Sequence, residues 1–383
     1  QVAAIVNADE AEFTVCVNGT PWESRFDKIW YLRYSPDGRL AALVSDSGTW
    51  TVACDGTPWE NQFDYVWDLK FSSDGGHIAV CIQQAMKYAM AVDDTPWSAT
   101  FANLTDPIFC PASSRSAATV QIAGFGEGEI HKFQEGAFTA ACDGKPWDGK
   151  FINVWGKAFS PNGRRLAAEV RINLYDYTIA VDGQAWPSTY EAVWKPTFNP
   201  DNGAVIAPVR QGGKWHLAQD DQPLWDSAFV QLWNPCFAPQ GDRLAAIVAP
   251  KFGRWTLAVD GRPWSTTVGD LVSDPRFSPD GQRLAAVAKH AGAYTILVDN
   301  TLWSPRGEMA FPPLFSPDSR HLAARIQLAD GYTIVVDGHC WNRRCQWIWD
   351  PVFSPDSERV LIRTIEEGLY HRRVIPTAEI ISQ

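Results

Sequence analysis

Short apolar runs alternate with turn residues along the whole chain. Segments such as Tyr294-Thr295-Ile296-Leu297-Val298 and the Leu-Ala-Ala runs that start at Leu40, Leu166, Leu244, Leu284 and Leu322 are separated by Asp-Gly and Ser-Pro-Asp-Gly punctuation. Apolar stretches of this length bounded by turn chemistry read as short strands joined by hairpins. Asp-Gly between extended runs favours a tight hairpin, because both central residues need positive φ.

The strands repeat. An Asp or Asn leads a turn four residues before a Trp nine times, at Trp22, Trp59, Trp97, Trp147, Trp186, Trp225, Trp264, Trp303 and Trp341. The leaders are Asn18, Asp55, Asp93, Asp143, Asp182, Asp221, Asp260, Asp299 and Asp337. Most intervals are 37 to 39 residues, and Trp97 to Trp147 spans 50. Four residues after the Trp stands an aromatic in six repeats, Phe26 and Phe63 among them. Eight residues after come Trp30, Trp67, Trp155, Trp194, Trp233 and Trp349. A last aromatic then opens a turn such as Phe277-Ser278-Pro279-Asp280-Gly281.

Each unit predicts four strands: a, ending in that last aromatic; b, the Leu-Ala-Ala run; c, the Tyr-Thr-Ile run; and d, the Trp and the aromatic after it. Four strands in about 39 residues make one blade of a β-propeller. The expected fold is all-β, with nine to ten four-stranded blades. Residues 1–383 would form a single propeller, the alternative being two smaller ones in tandem. The chain would open at strand b and close near strand c or a weak d around Ala378–Ser382. The turn tryptophans are expected to dock blade on blade. The set eight residues later, on the innermost strand, is either packing or a row of binding anchors.

The long interval places about eleven extra residues between b and c, at Gly124–Ala137. This is either a plain surface loop or a partner-contacting one, because irregular insertions on rigid scaffolds often carry binding. Phe125, His131 and Phe133 are its candidate contacts. Arg343 and Arg344 join them as a basic pair in an acidic chain, with 33 Lys plus Arg against 44 Asp plus Glu and a net charge of −11. That balance argues against nucleic acid or an anionic membrane as partner. No apolar run approaches the ~20 residues of a membrane span.

Candidate chemistry is sparse. The seven His show no metal-ligand spacing, and no H-E-x-x-H or G-x-S-x-G occurs. Gly124–Glu129 lacks the Lys-Ser/Thr of a phosphate loop. Eight Cys contain no C-x-x-C, and a local bridge between Cys340 and Cys345 is the one disulfide the spacing allows for. No catalytic residue, metal site or cofactor is expected.

The Ser-Pro-Asp-Gly turns and the strand pattern resemble WD40-like repeats of the PD40/TolB kind, without the G-H and W-D dipeptides of ordinary WD40 units. With the nine Asp/Asn–Trp turns and the aromatic ladders, the chain is similar to the tryptophan-rich propeller subunits of Tmc-type transmembrane electron-transfer complexes of sulfate-reducing bacteria. That resemblance implies a non-catalytic scaffold free of haem and clusters. It would stand beside an iron–sulfur subunit, a cytochrome b-like membrane subunit and a periplasmic multihaem cytochrome c. The compartment implied is the cytoplasmic side of the inner membrane, the periplasm being the alternative. An independent TolB-like propeller that binds proteins or glycans is the alternative function.

Overall fold

The computed structural model describes residues 1–124, 126 and 128–382. The fold is an all-β propeller, and among the described residues ten antiparallel sheets follow one another along the chain. The second sheet shows the plan. Strands Lys28–Tyr34, Leu40–Asp46, Thr49–Cys54 and Thr57–Pro58 lie side by side in chain order and supply a, b, c and d. Strand b is buried along nearly its whole length, and its Ala41 and Ala42 are fully covered. Alanine there lets neighbouring sheets approach closely, and the larger Leu40, Leu43 and Val44 fill the space between them.

The blades group into two compact units, residues 1–198 and 199–383. The first opens with a three-stranded sheet, Ala3–Asp9, Glu12–Val17 and Thr20–Pro21, which has b, c and d but no a. Sheets beginning at Lys28, Tyr65, Leu104 and Asn153 follow. The second unit begins with Val205–Gln211, Lys214–Gln219 and Gln222–Pro223 and adds sheets from Gln231, Leu271, Met309 and Trp347.

Strand d is shorter than the sequence suggested. It spans two residues and stops before the Trp, whose N–H still reaches strand c, as Trp59 does to the Val52 carbonyl at 2.8 Å. The backbone then leaves the ladder to turn the indole toward the next sheet. The following aromatic returns as a single bridge to the start of c, as in Trp50↔Phe63 and Phe138↔Phe151.

Three further details emerge. Ala378–Ser382 is not a strand; the chain turns there into helix Thr377–Ile381, which buries Ile380 against Ile334 and Val336. The Gly124–Ala137 insertion contains a short helix, Ile130–Gln134. Cys340 and Cys345 are unbridged.

The turns explain why the repeat needs its residues. The leading Asp sits at positive φ, and its carboxylate accepts the N–H that opens strand b: Leu40 to Asp55, Ser116 to Asp143 and Leu284 to Asp299, each at 2.9 Å. In the sixth repeat Asp220, not Asp221, makes this bond, to Val205 at 3.0 Å. One extra residue separates it from Trp225, so Leu224 takes the backbone position the Trp holds elsewhere. The glycine after the Asp receives the Trp of the preceding blade. A Cβ on Gly56 would lie 3.1 Å from Trp22 Cγ, and one on Gly183 3.1 Å from Trp147 Cγ. Where Asp94 or Asn300 replaces the glycine, its side chain bonds the backbone beyond the facing Trp, at Glu60 and Thr266.

A second seam lies at the residue before strand b. Arg283 donates to its own turn Asp299 at 2.9 Å, reaches the Arg320 carbonyl of the next blade at 2.7 Å and stacks over Phe315. Arg115 does the same with Asp143, Gly163 and Phe159.

Candidate functional site

Strand a carries the irregularity that builds a site. Beyond the turn Trp the register with strand b slips by a bulge, and a residue there takes positive φ: nine residues on at Tyr31, Asp68, Asp106, Gly156 and Asn234, and ten on at Asp274. Asn, Asp and Gly tolerate this conformation best, which accounts for most of that set. In the fifth, eighth and ninth full blades strand a splits into two short pieces at this point.

In the first unit the bulge carboxylates meet lysines. Asp68 lies 2.8 Å from Lys70 Nζ. Lys157 is fully buried, and its ammonium donates to Asp106 Oδ2 at 2.7 Å and Thr119 Oγ1 at 2.6 Å. Burial pulls the Lys157 ammonium below its ordinary value, and Asp106 opposes that. Glu169, opposite Trp155 on strand b, is pushed up to about 7, first by burial and then by Asp106, while Lys195 and Lys157 pull it back. Its carboxylate fills the space a side chain on residue 156 would need, since a Cβ there would lie 2.0 Å from Glu169 Oε1. A carboxyl titrating near neutrality beside a buried lysine can hold or release a proton. Among the described residues no group of three metal-binding side chains stands with it.

In the last two sheets of the second unit the corresponding strand-b positions are Arg325 and Arg363. Arg325 stacks 3.8 Å over Phe311, donates to the Ile348 carbonyl at 2.9 Å and pairs with Asp350 at 2.8 Å. The Asp350 oxygen lies off the axis of the Nε–H bond, so Nε is ion-paired without a hydrogen bond. These arginine donors take up carbonyls that the split strand leaves free.

The tryptophans eight residues after the turns are partly open to solvent. Trp30 is 42% exposed and Trp194 46%; in the second unit Trp347, six residues after its turn Trp, is 40% exposed. In the first unit Trp30, Trp50, Tyr65, Trp67 and Tyr88 make a continuous aromatic row with ring centres 4.5 to 6.0 Å apart. By contrast the turn tryptophans are covered: Trp97, Trp186, Trp225 and Trp341 are buried, and Trp22, Trp59, Trp147, Trp264 and Trp303 half-buried.

The residues singled out as partner contacts fare differently. Phe125 lies outside the described residues. His131 is exposed on the short helix, while Phe133 is half-buried, edge-on to Phe138 at 6.3 Å, which pins the insertion to strand c. In the second unit Arg343 lies 3.6 Å from Glu366 and near the Trp341 ring, and Arg344 lies 3.2 Å from Asp330. Both arginines are therefore engaged locally. The Asp106–Lys157–Glu169 group escaped sequence reasoning. Its signal was the charge of Glu169 at a position that reads Leu43, Cys81, Ile247 and Val287 in other blades.

No family model matches the chain, and no curated protein sequence matches it. Solved structures do. A crystal structure of the eukaryotic initiation factor is 12% identical over 88% of this chain and 93% of its own, with a TM-score of 0.51. The Dos1 propeller is 10% identical over 72% and 86%, with a TM-score of 0.38. A putative 6-phosphogluconolactonase from Bacteroides uniformis is 16% identical over 68% and 92%, with a TM-score of 0.29. Of these three the initiation factor alone exceeds 0.5, and at its identity the likeness is one of fold.

Proposed function

We propose that this chain is a non-catalytic, cofactor-free scaffold that binds protein partners through the tryptophans of its a strands. The observation that carries this reading is the exposure of Trp30, Trp194 and Trp347, with Tyr31 and Tyr34 also open on the strand that carries Trp30. Tryptophan half-open on a rigid sheet is a frequent anchor of protein interfaces. The charged groups found are absorbed by one another or by backbone carbonyls, which suits a scaffold better than a reaction centre.

In its specific form, taken from the resemblance of the nine Trp turns, the partners are the iron–sulfur, cytochrome b-like and multihaem cytochrome subunits of a membrane redox complex. The chain would then sit at the cytoplasmic face of the inner membrane. Affinity purification of the chain from native membranes tests both levels. Co-purifying haem and iron–sulfur absorbance supports the specific form. Protein partners without redox groups support the general form alone and fit an independent binding propeller. A Trp30→Ala, Trp194→Ala double variant that folds normally and keeps every partner would sink the general form.

A further inference from the structure

The last sheet of the second unit differs from the others at its outer edge. Its strand c, Leu369–Pro376, pairs with Arg359–Glu366 over eight residues, from Arg359↔Pro376 to Glu366↔Leu369. Among the described residues no strand d follows; the chain turns into helix Thr377–Ile381. Strand c therefore offers one row of backbone N–H and C=O groups without a ladder partner among the described residues.

Alternation sorts the two faces. Val360, Ile362 and Thr364 are buried. The other face carries Leu361, Arg363 and Ile365, with Val374, Arg372 and Tyr370 directly opposite them. Arg363 thus faces Arg372 across the ladder, and like charges so placed destabilise a sheet. Neither has a carboxylate within ion-pair distance among the described residues: Glu366 is taken by Arg373 at 2.6 Å, and Asp350 by Arg325. Arg363 is half-buried, its Nε is buried without an acceptor, and its Nη2 reaches the Asp350 carbonyl at 3.5 Å. A half-buried guanidinium is ordinarily matched by an anion. The flanking side chains are apolar and open, Tyr370 at 58% and Val374 at 57% exposed.

We propose that this edge takes an extended acidic segment of a partner protein, which adds as a fourth strand beside Leu369–Pro376. Main-chain bonds to the free edge would supply affinity and alternate side chains specificity. The face reads Tyr370, Arg372, Val374, so the segment should read apolar, any, acidic, any, apolar, with its carboxylate beside Arg372 and with Arg363 one strand further in. This surface is separate from the a-strand tryptophans and stands whether or not they bind. A protein segment fits better than a lipid headgroup or free phosphate, because the edge offers a backbone ladder and apolar neighbours on both sides of the charge.

The test uses the full chain and two fluorescein-labelled peptides, one with Val-Thr-Glu-Thr-Val at its centre and one with Lys in place of Glu. Anisotropy should show the Glu peptide binding at least about tenfold tighter, and an R363Q/R372Q double variant should lose at least about tenfold. Two results overturn the proposal: equal binding by wild type and double variant, or no binding of the Glu peptide up to millimolar concentration. Arginine-dependent binding of phosphatidylglycerol vesicles or inorganic phosphate without the peptide would also overturn it. If the arginines merely guard an edge, the double variant melts higher, since their repulsion is relieved, and binds the Glu peptide as wild type does.

Discussion

The Lys157 side chain is fully buried, and its bonds to Asp106 and Thr119 make an ammonium there tolerable. Removing the half-exposed Asp106 leaves the buried Lys157 ammonium without its anion, at a cost of about 1–3 kcal/mol after solvent screening, whereas replacing both by apolar groups is nearly neutral. Asp106→Ala should therefore lower stability by about that amount in urea melts, and K157M added to it should recover most of the loss. Glu169 makes a pH-dependent counterpart. Its folded value is about 7 against an ordinary 4.5, so the folded state holds the proton more tightly than the unfolded one. That contribution is fully present below pH 4.5 and is lost as the pH rises through 7. Glu169→Gln should melt like wild type at pH 4 and about 2–4 °C higher at pH 8; equal curves at both values would show that the carboxyl is hydrated.

Within the blade the two tryptophan sets have opposite sensitivities. Trp341, 2% exposed, lies in the seam beneath helix Thr377–Ile381, and Trp341→Ala should cost about 3–5 kcal/mol. Trp194→Ala, at a half-open site, should cost about 1 kcal/mol or less and act on binding instead. Gly56→Ala meets both a positive φ and the Trp22 ring, so calorimetry should show it destabilised by at least about 1 kcal/mol. The seam was legible in the sequence because every blade needs it: Asp for the strand-b N–H, Gly for the indole. What one-dimensional reading lacked was geometry that occurs once. Asp106 and Lys157 are 51 residues apart and join different blades. The extra residue after Asp220 shifted the turn without breaking the visible Asp–Trp spacing. The short d strand was hidden because the Trp leaves the ladder while the aromatic after it returns.

Across the whole molecule the a–b turns set the acid limit. Asp37, Asp74, Asp280, Asp318 and Asp356 are each held below the ordinary carboxylate range, first by the serine hydroxyl two residues before. Carboxylates depressed on folding contribute stability above their unfolded value near 3.8 and lose it as the pH falls through the folded one. The melting temperature should hold from neutrality to about pH 4.5 and then fall. Ser278→Ala with Ser316→Ala should reduce the drop between pH 4.5 and 2.5, a difference that an acid series of thermal scans would read. The glycine-on-indole contact also fixes how such a chain can change length. Each sheet is keyed to its neighbour by half a lock at either end, a tryptophan behind and a hairpin glycine ahead. A segment excised from one hairpin tip to the equivalent tip of the next removes one key and one lock together and leaves matching halves to meet. A cut out of phase leaves a bare indole on one side and an empty socket on the other. Growth and shrinkage by whole periods is therefore the one route that keeps every seam filled, which is why the 50-residue interval places its extra residues between strands b and c, away from both halves of the lock.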